Sequence, residues 1–111
     1  MTLTLRGCGT AIITPLTPGR EVDEEALRRH VAWQLDQGVD FLVPCGSTGE
    51  AQTLTPLEQR KVVEVVVDEV KGRAPVVGGV SGNYTARTVD ETREMAGWGV
   101  DAVMVVTPYY N

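Results

Sequence analysis

Length, composition and charge restrict this chain to a few classes of protein. It has 111 residues, of which 42% are hydrophobic and 23% charged, as in a single soluble globular domain. The formal net charge of −5 and the lack of any apolar run near the roughly 18 residues of a membrane span predict neither a nucleic-acid nor a membrane partner.

The chain alternates short apolar runs with longer amphipathic segments. Strands are predicted where β-branched and other apolar residues cluster, at 10–14, 41–45, 75–79 and 102–106. Helices are predicted between them, at 24–37, 56–70 and 85–96. Asp23 is the expected cap of the first helix, whose apolar stripe is Leu27, Val31 and Leu35. Thr55 and Glu58 predict a capping box for the second helix, with Pro56 in its first turn.

One strand and one helix per repeat predict four parallel strands. Two architectures fit this alternation: a doubly wound sheet and a (β/α)8 TIM barrel cut short. Barrels typically need about 250 residues, so residues 1–111 would form roughly half of one. The sequence stops in a loop directly after a strand, where a complete domain would place a covering helix. We therefore expect the N-terminal half of a barrel, a partial domain truncated after its fourth strand.

The two cysteines, Cys8 and Cys45, belong to no Cys-x-x-Cys pair. This spacing predicts neither a zinc site nor a disulfide framework. Reduced thiols fit a cytoplasmic location best.

The turn after the second predicted strand, Gly46-Ser-Thr-Gly-Glu50, is the first candidate site. Its glycines allow close approach of the backbone to a ligand, and two adjacent hydroxyls with free N–H groups can hold a small carboxylate or phosphate. The alternative is a plain connection with small residues for tight packing. A small doubly wound domain using this turn for an anion, or a half-barrel that works as an assembly module, would also fit.

Three motifs carry a family resemblance: Gly9-Thr-Ala-Ile-Ile-Thr-Pro15, the turn at 46–50, and Thr107-Pro-Tyr-Tyr-Asn111. Together they resemble the dihydrodipicolinate synthase / N-acetylneuraminate lyase family. The resemblance covers nearly the whole chain but only the first half of the family's barrel. The third motif favours the synthase branch, although another pyruvate-dependent aldolase of the family remains an alternative.

The resemblance implies a class I aldolase, a lyase of lysine biosynthesis that binds pyruvate as a Schiff base on a lysine. Pyruvate would then be condensed with an aldehyde, aspartate semialdehyde, without a separate cofactor or metal. Ser47 matches a hydroxyl of the proton relay, and Thr48 matches the residue that holds the pyruvate carboxylate. Tyr110 matches the relay tyrosine that reaches into a neighbouring subunit, which implies a homo-oligomer.

The residues absent from the chain matter as much. Its lysines are Lys61, within the second predicted helix, and Lys71, at that helix's end. A Schiff-base lysine must be desolvated at the barrel mouth so that its amine is neutral, and neither position fits. The family's lysine lies in a later strand, so we expect the chain to be inactive alone.

The resemblance also concerns feedback by lysine. Inhibited members of the family use two histidines early in the second helix and an acid in the third. Those positions correspond here to Pro56, Gln59 and Arg87, although Asn83 and Tyr109 are retained. Arg87 carries a positive charge where the inhibited members have an acid. We therefore expect the parent enzyme to be insensitive to lysine.

Overall fold

The computed structural model describes residues 2–111. Strands and helices alternate in the order β1 (Gly9–Ala11), α1 (Glu24–Asp36), β2 (Phe41–Val43), α2 (Pro56–Val70), β3 (Val77–Val80), α3 (Thr85–Ala96) and β4 (Ala102–Val105). A short 3₁₀ turn at Ala51–Thr53 precedes α2. The predicted bounds of α2 and α3 are confirmed. The strands are shorter than predicted, because a strand ends where its ladder ends.

All observed strand pairs are parallel, as predicted. Gly9 lies opposite Phe41 in the β1–β2 pair, and Val77 lies opposite Ala102 in the β3–β4 pair. A parallel bridge between Leu42 and Val76 connects the two pairs. The strands therefore follow one another in chain order, β1-β2-β3-β4. In a doubly wound sheet the spatial order of the strands reverses partway along the chain. The observed order has no such reversal and is that of a barrel.

The core lies between the sheet and the inner faces of the helices. From α1, Leu27 and Val31 are fully buried and Leu35 is partly buried, as the apolar stripe predicts. The largest helical contribution comes from α2, whose buried residues are Val62, Val63, Val65, Val66 and Val70. Helix α2 packs most extensively on α1, and the two are joined at the surface by ion pairs around Arg28.

Side chains fix where the helices begin. The Asp23 carboxylate accepts a hydrogen bond from the Ala26 N–H at 2.9 Å and caps α1. At α2 the Thr55 hydroxyl accepts from the Glu58 N–H at 3.2 Å, while the Glu58 carboxylate accepts from the Thr55 N–H at 2.8 Å. Both predicted caps are confirmed.

A Gly-Val-Asp sequence lies immediately before β2 and recurs immediately before β4. The Asp40 N–H donates to the Cys8 carbonyl at 2.8 Å, and the Asp40 carboxylate accepts from the Cys8 N–H at 2.7 Å. Asp101 makes the same reciprocal pair with Val76, at 2.9 and 2.8 Å. Each aspartate therefore aligns the start of its strand with the preceding strand of the pair.

Candidate functional site

The turn at residues 46–50 follows β2 at the carboxyl edge of the sheet. Two non-glycine residues with left-handed backbone, Cys45 (φ 58°) and Glu50 (φ 55°), lie at either end of it. Such residues cost roughly 1–2 kcal/mol each, so the surrounding packing must impose this conformation. Inside the turn, the Gly49 N–H donates to the Gly46 carbonyl at 3.1 Å and the Glu50 N–H to the Ser47 carbonyl at 3.0 Å.

The two glycines of this turn have different roles. A Cβ added to Gly49 would lie 3.0 Å from the Ile12 carbonyl oxygen and 3.2 Å from the Thr14 hydroxyl, so Gly49 permits close packing on the segment after β1. A Cβ added to Gly46 would meet nothing within 4 Å. Gly46 is thus the glycine that leaves open space beside the turn.

Three consecutive N–H groups of the turn lack a partner. Within residues 2–111, no group accepts a hydrogen bond from the N–H of Gly46, Ser47 or Thr48. The side chains of Ser47 and Thr48 are exposed beside them. Successive free N–H groups with adjacent hydroxyls have the donor arrangement that binds a small anion.

Tyr110 follows β4, at the same edge of the sheet. It is 99% exposed and has a left-handed backbone (φ 63°). Its neighbour Tyr109 is held in place, because the Tyr109 N–H donates to the Asn83 side-chain oxygen at 2.9 Å. The Tyr109 hydroxyl also lies 3.4 Å from the Gln52 amide nitrogen, which donates to it. The chain end is therefore tied to the turns that follow β2 and β3.

Two clefts open beside this edge. A cleft of about 390 Å³ is lined by Ser47 and by the acidic face of α3, at Asp90, Glu91 and Glu94. An adjoining cleft of about 360 Å³ brings together the five positions of the expected feedback site: Pro56, Gln59, Asn83, Arg87 and Tyr109. Thr48 and Tyr110 line neither cleft, so of the three predicted site residues only Ser47 does.

Hydrogen bonds within the second cleft already engage its long side chains. The Arg87 guanidinium donates to the Glu91 carboxylate at 2.8 Å. The Gln59 amide donates to the Ala51 carbonyl at 2.9 Å, which fastens the 3₁₀ turn to α2. Sequence reasoning placed Gln59 in this cleft and missed its bond to Ala51.

The candidate nucleophiles lie away from the 46–50 turn or are inert. Lys61 forms an ion pair with Glu24 at 3.6 Å, and Lys71 is the left-handed C-cap of α2. Cys45 is buried, and that burial raises the pKa of its thiol to about 12. Burial lowers the pKa of His30, which packs against Trp33 on α1. Residues 2–111 contain no cluster of three or more His, Cys, Asp or Glu side chains suited to a metal ion.

Comparison with known proteins agrees with this architecture. The family model described as the dihydrodipicolinate synthetase family matches residues 4–111. The chain belongs to this family. A 4-hydroxy-tetrahydrodipicolinate synthase of Maridesulfovibrio salexigens is 45% identical over 109 residues, which are 98% of this chain and 37% of that protein. The synthase of Nitrobacter hamburgensis is 51% identical over 106 residues, 96% of this chain and 36% of that protein.

Solved structures of the family superimpose closely. The dihydrodipicolinate synthase of Aquifex aeolicus matches with a TM-score of 0.90 and 41% identity, over 96% of this chain and 36% of that one. The chloride-inhibited enzyme of Acinetobacter baumannii, complexed with pyruvate, matches with a TM-score of 0.94 and 35% identity, over 97% of this chain and 37% of that one. The chain therefore spans little more than a third of these relatives. Its fold is the N-terminal half of their TIM barrel, as predicted. In residues 2–111 no helix has the length and apolarity to cross a bilayer.

Proposed function

We propose that this chain forms the keto-acid-binding part of a 4-hydroxy-tetrahydrodipicolinate synthase, which joins pyruvate to aspartate semialdehyde. The observation that carries this proposal is the run of three unpartnered N–H groups at Gly46, Ser47 and Thr48. These donors lie at the carboxyl edge of the sheet, where barrel enzymes bind their substrates.

The three residues have distinct roles in this proposal. Thr48 holds the pyruvate carboxylate through its hydroxyl and N–H group. Ser47 and Tyr110 pass protons between the imine intermediates and water, because a hydroxyl can both donate and accept a proton without holding charge. The full exposure of Tyr110 fits a side chain that completes its contacts in a second copy, so the active form is a homo-oligomer.

The imine-forming lysine belongs to the part of the barrel beyond this chain. Lys61 is exposed and paired with Glu24 at 3.6 Å, so it is not the desolvated amine that imine formation needs. Incubation with pyruvate and borohydride, followed by mass spectrometry, is expected to give no reduced adduct. An adduct that disappears in the Lys61→Arg or Lys71→Arg variant would show that the chain has its own nucleophile.

The carboxylate site can be tested on the chain itself. Titration of ¹⁵N-labelled chain with pyruvate is expected to shift the amide signals of Ser47 and Thr48. Pyruvamide, which has the same shape without the negative charge, is the control ligand and is expected to leave them in place. Equal shifts with both compounds, or shifts confined to other residues, would contradict a carboxylate site at this turn.

Lysine is not expected to regulate the enzyme. The Arg87 guanidinium, already bonded to Glu91, places positive charge where a lysine effector would bring its ammonium group. Steady-state assays of an enzyme that contains this chain should show no inhibition by lysine, and Arg87→Glu should increase the response. Strong inhibition at sub-millimolar lysine would overturn this expectation.

A further inference from the structure

A buried hydroxyl reaches the 46–50 turn from the segment after β1. Thr14 is 6% exposed, and its hydroxyl donates to the Gly49 carbonyl at 2.7 Å, across 35 positions of sequence. Pro15 follows Thr14 and restricts its backbone to an extended conformation, which limits where the side chain can point. The same hydroxyl lies against the position where Gly49 would carry a Cβ.

Few other hydrogen bonds hold this turn from outside. Two of its N–H groups bond within the turn, from Gly49 to Gly46 and from Glu50 to Ser47. The Thr53 hydroxyl donates to the Glu50 carbonyl at 2.9 Å, but Thr53 belongs to the adjoining 3₁₀ turn and not to a distant segment. Within residues 2–111, Thr14 is therefore the one side chain from a distant segment that hydrogen-bonds to the backbone of this turn.

We infer that Thr14 is a positioning residue for the carboxylate site, an inference that rests on the proposed function. Its hydroxyl anchors the carboxyl end of the turn, and Cys45, with its left-handed backbone, precedes the other end. Without the hydroxyl, the buried Gly49 carbonyl loses its partner, and the turn must open to reach water. The free N–H groups of Ser47 and Thr48 would then lose the arrangement that they have in the closed turn.

Three variants separate positioning from packing. Thr14→Val keeps the shape and removes the hydroxyl, whereas Thr14→Ser keeps the hydroxyl. Thr88→Val is the matched control, since Thr88 is also buried and its hydroxyl also bonds loop carbonyls, but those that follow β3. Amide hydrogen exchange, pyruvate affinity and the urea midpoint are measured for each chain.

In Thr14→Val, the amides of Gly49 and Glu50 should exchange about tenfold faster, while those in the centre of α2 keep their rates. Pyruvate affinity should fall about tenfold with them. Thr14→Ser should stay within about threefold of the original chain in both measurements. Thr88→Val should leave the turn and the affinity unchanged.

Unchanged exchange and affinity in Thr14→Val would overturn the inference, and so would equal losses in Thr88→Val. If Thr14→Val does not fold, the original chain still provides a test. The Thr14 hydroxyl proton should exchange slowly and show an NOE to Gly49, and exchange at the solvent rate would overturn the inference. If pyruvate fails to bind the original chain while Thr14→Val loosens the turn, the proposed function fails and the anchoring by Thr14 stands.

Discussion

Replacing Gly79 by alanine tests how closely β2 and β3 approach. An added Cβ would overlap the Cys45 carbonyl oxygen and would lie 2.8 Å from the Cys45 carbonyl carbon and 3.0 Å from the Gly46 nitrogen. All three atoms belong to backbone, so no side-chain rotation relieves the overlap. The strands must separate, which also stretches the 2.9 Å hydrogen bond from the Gly79 N–H to the Pro44 carbonyl.

The expected cost follows from these contacts. Overpacking in a close-packed interior costs about 1–3 kcal/mol, and rigid opposing atoms place Gly79→Ala at the upper end. Loss of the hydrogen bond adds about 1 kcal/mol, while the lower backbone entropy of alanine in the unfolded chain returns about as much. The free energy of unfolding should therefore fall by about 3 kcal/mol.

Urea unfolding followed by far-UV circular dichroism measures this effect. The midpoint of Gly79→Ala should fall by about 1–3 M relative to the original chain. Gly46→Ala is the matched control, because its added Cβ meets nothing within 4 Å. Its midpoint should stay at the original value or rise by up to about 1 M, because the lower backbone entropy of alanine in the unfolded chain is unopposed. A Gly79→Ala midpoint at or above the original, or an equal loss in Gly46→Ala, would refute the reasoning.

Three further changes test the helix cap, the thiols and the ion pairs. Thr55→Ala should lower the free energy of unfolding, measured by urea denaturation, by about 1 kcal/mol, and Thr55→Ser, which keeps the hydroxyl, should leave it unchanged. At pH 8 a thiol reagent should modify the exposed Cys8 in the folded chain and modify buried Cys45 only in denaturant. Since the pKa of Cys45 rises from 9.0 to about 12 on folding, its contribution to stability should be lost between about pH 9 and 12, a decline absent from Cys45→Ala. Arg28→Met should lower the urea midpoint at low salt, and added salt should reduce the difference, because Arg28 bonds acids of α2 such as Asp68.

Sequence patterns predicted the helices best, because their end signals are local. Thr55, Pro56 and Glu58 lie within four positions of one another, and they fix the start of α2. Strand ends depend on distant partners, which explains why β1 ends at Ala11 although apolar residues continue through Ile13. The 3₁₀ turn at Ala51–Thr53 has no periodicity that would reveal it.

The sequence also located the candidate site without explaining its geometry. Glycine content indicated a turn at 46–50, yet its left-handed residues are Cys45 and Glu50 rather than its glycines. Gly49 serves to admit Thr14, a relation between residues 35 positions apart that no local pattern contains. The roles of Ser47, Thr48 and Tyr110 stay predictions.

The reciprocal hydrogen bonds of Asp40 and Asp101 have a consequence for how such a sheet can gain strands. Parallel strands have no hairpin to set their alignment, and a slip of one residue would turn every core side chain outward. Here three residues, a left-handed glycine, a valine and an aspartate, end one helix and align the next strand. A gene duplication that copied these three residues would also copy the alignment of the strand that follows them. Additional strands could then join the sheet in register without new core residues to align them.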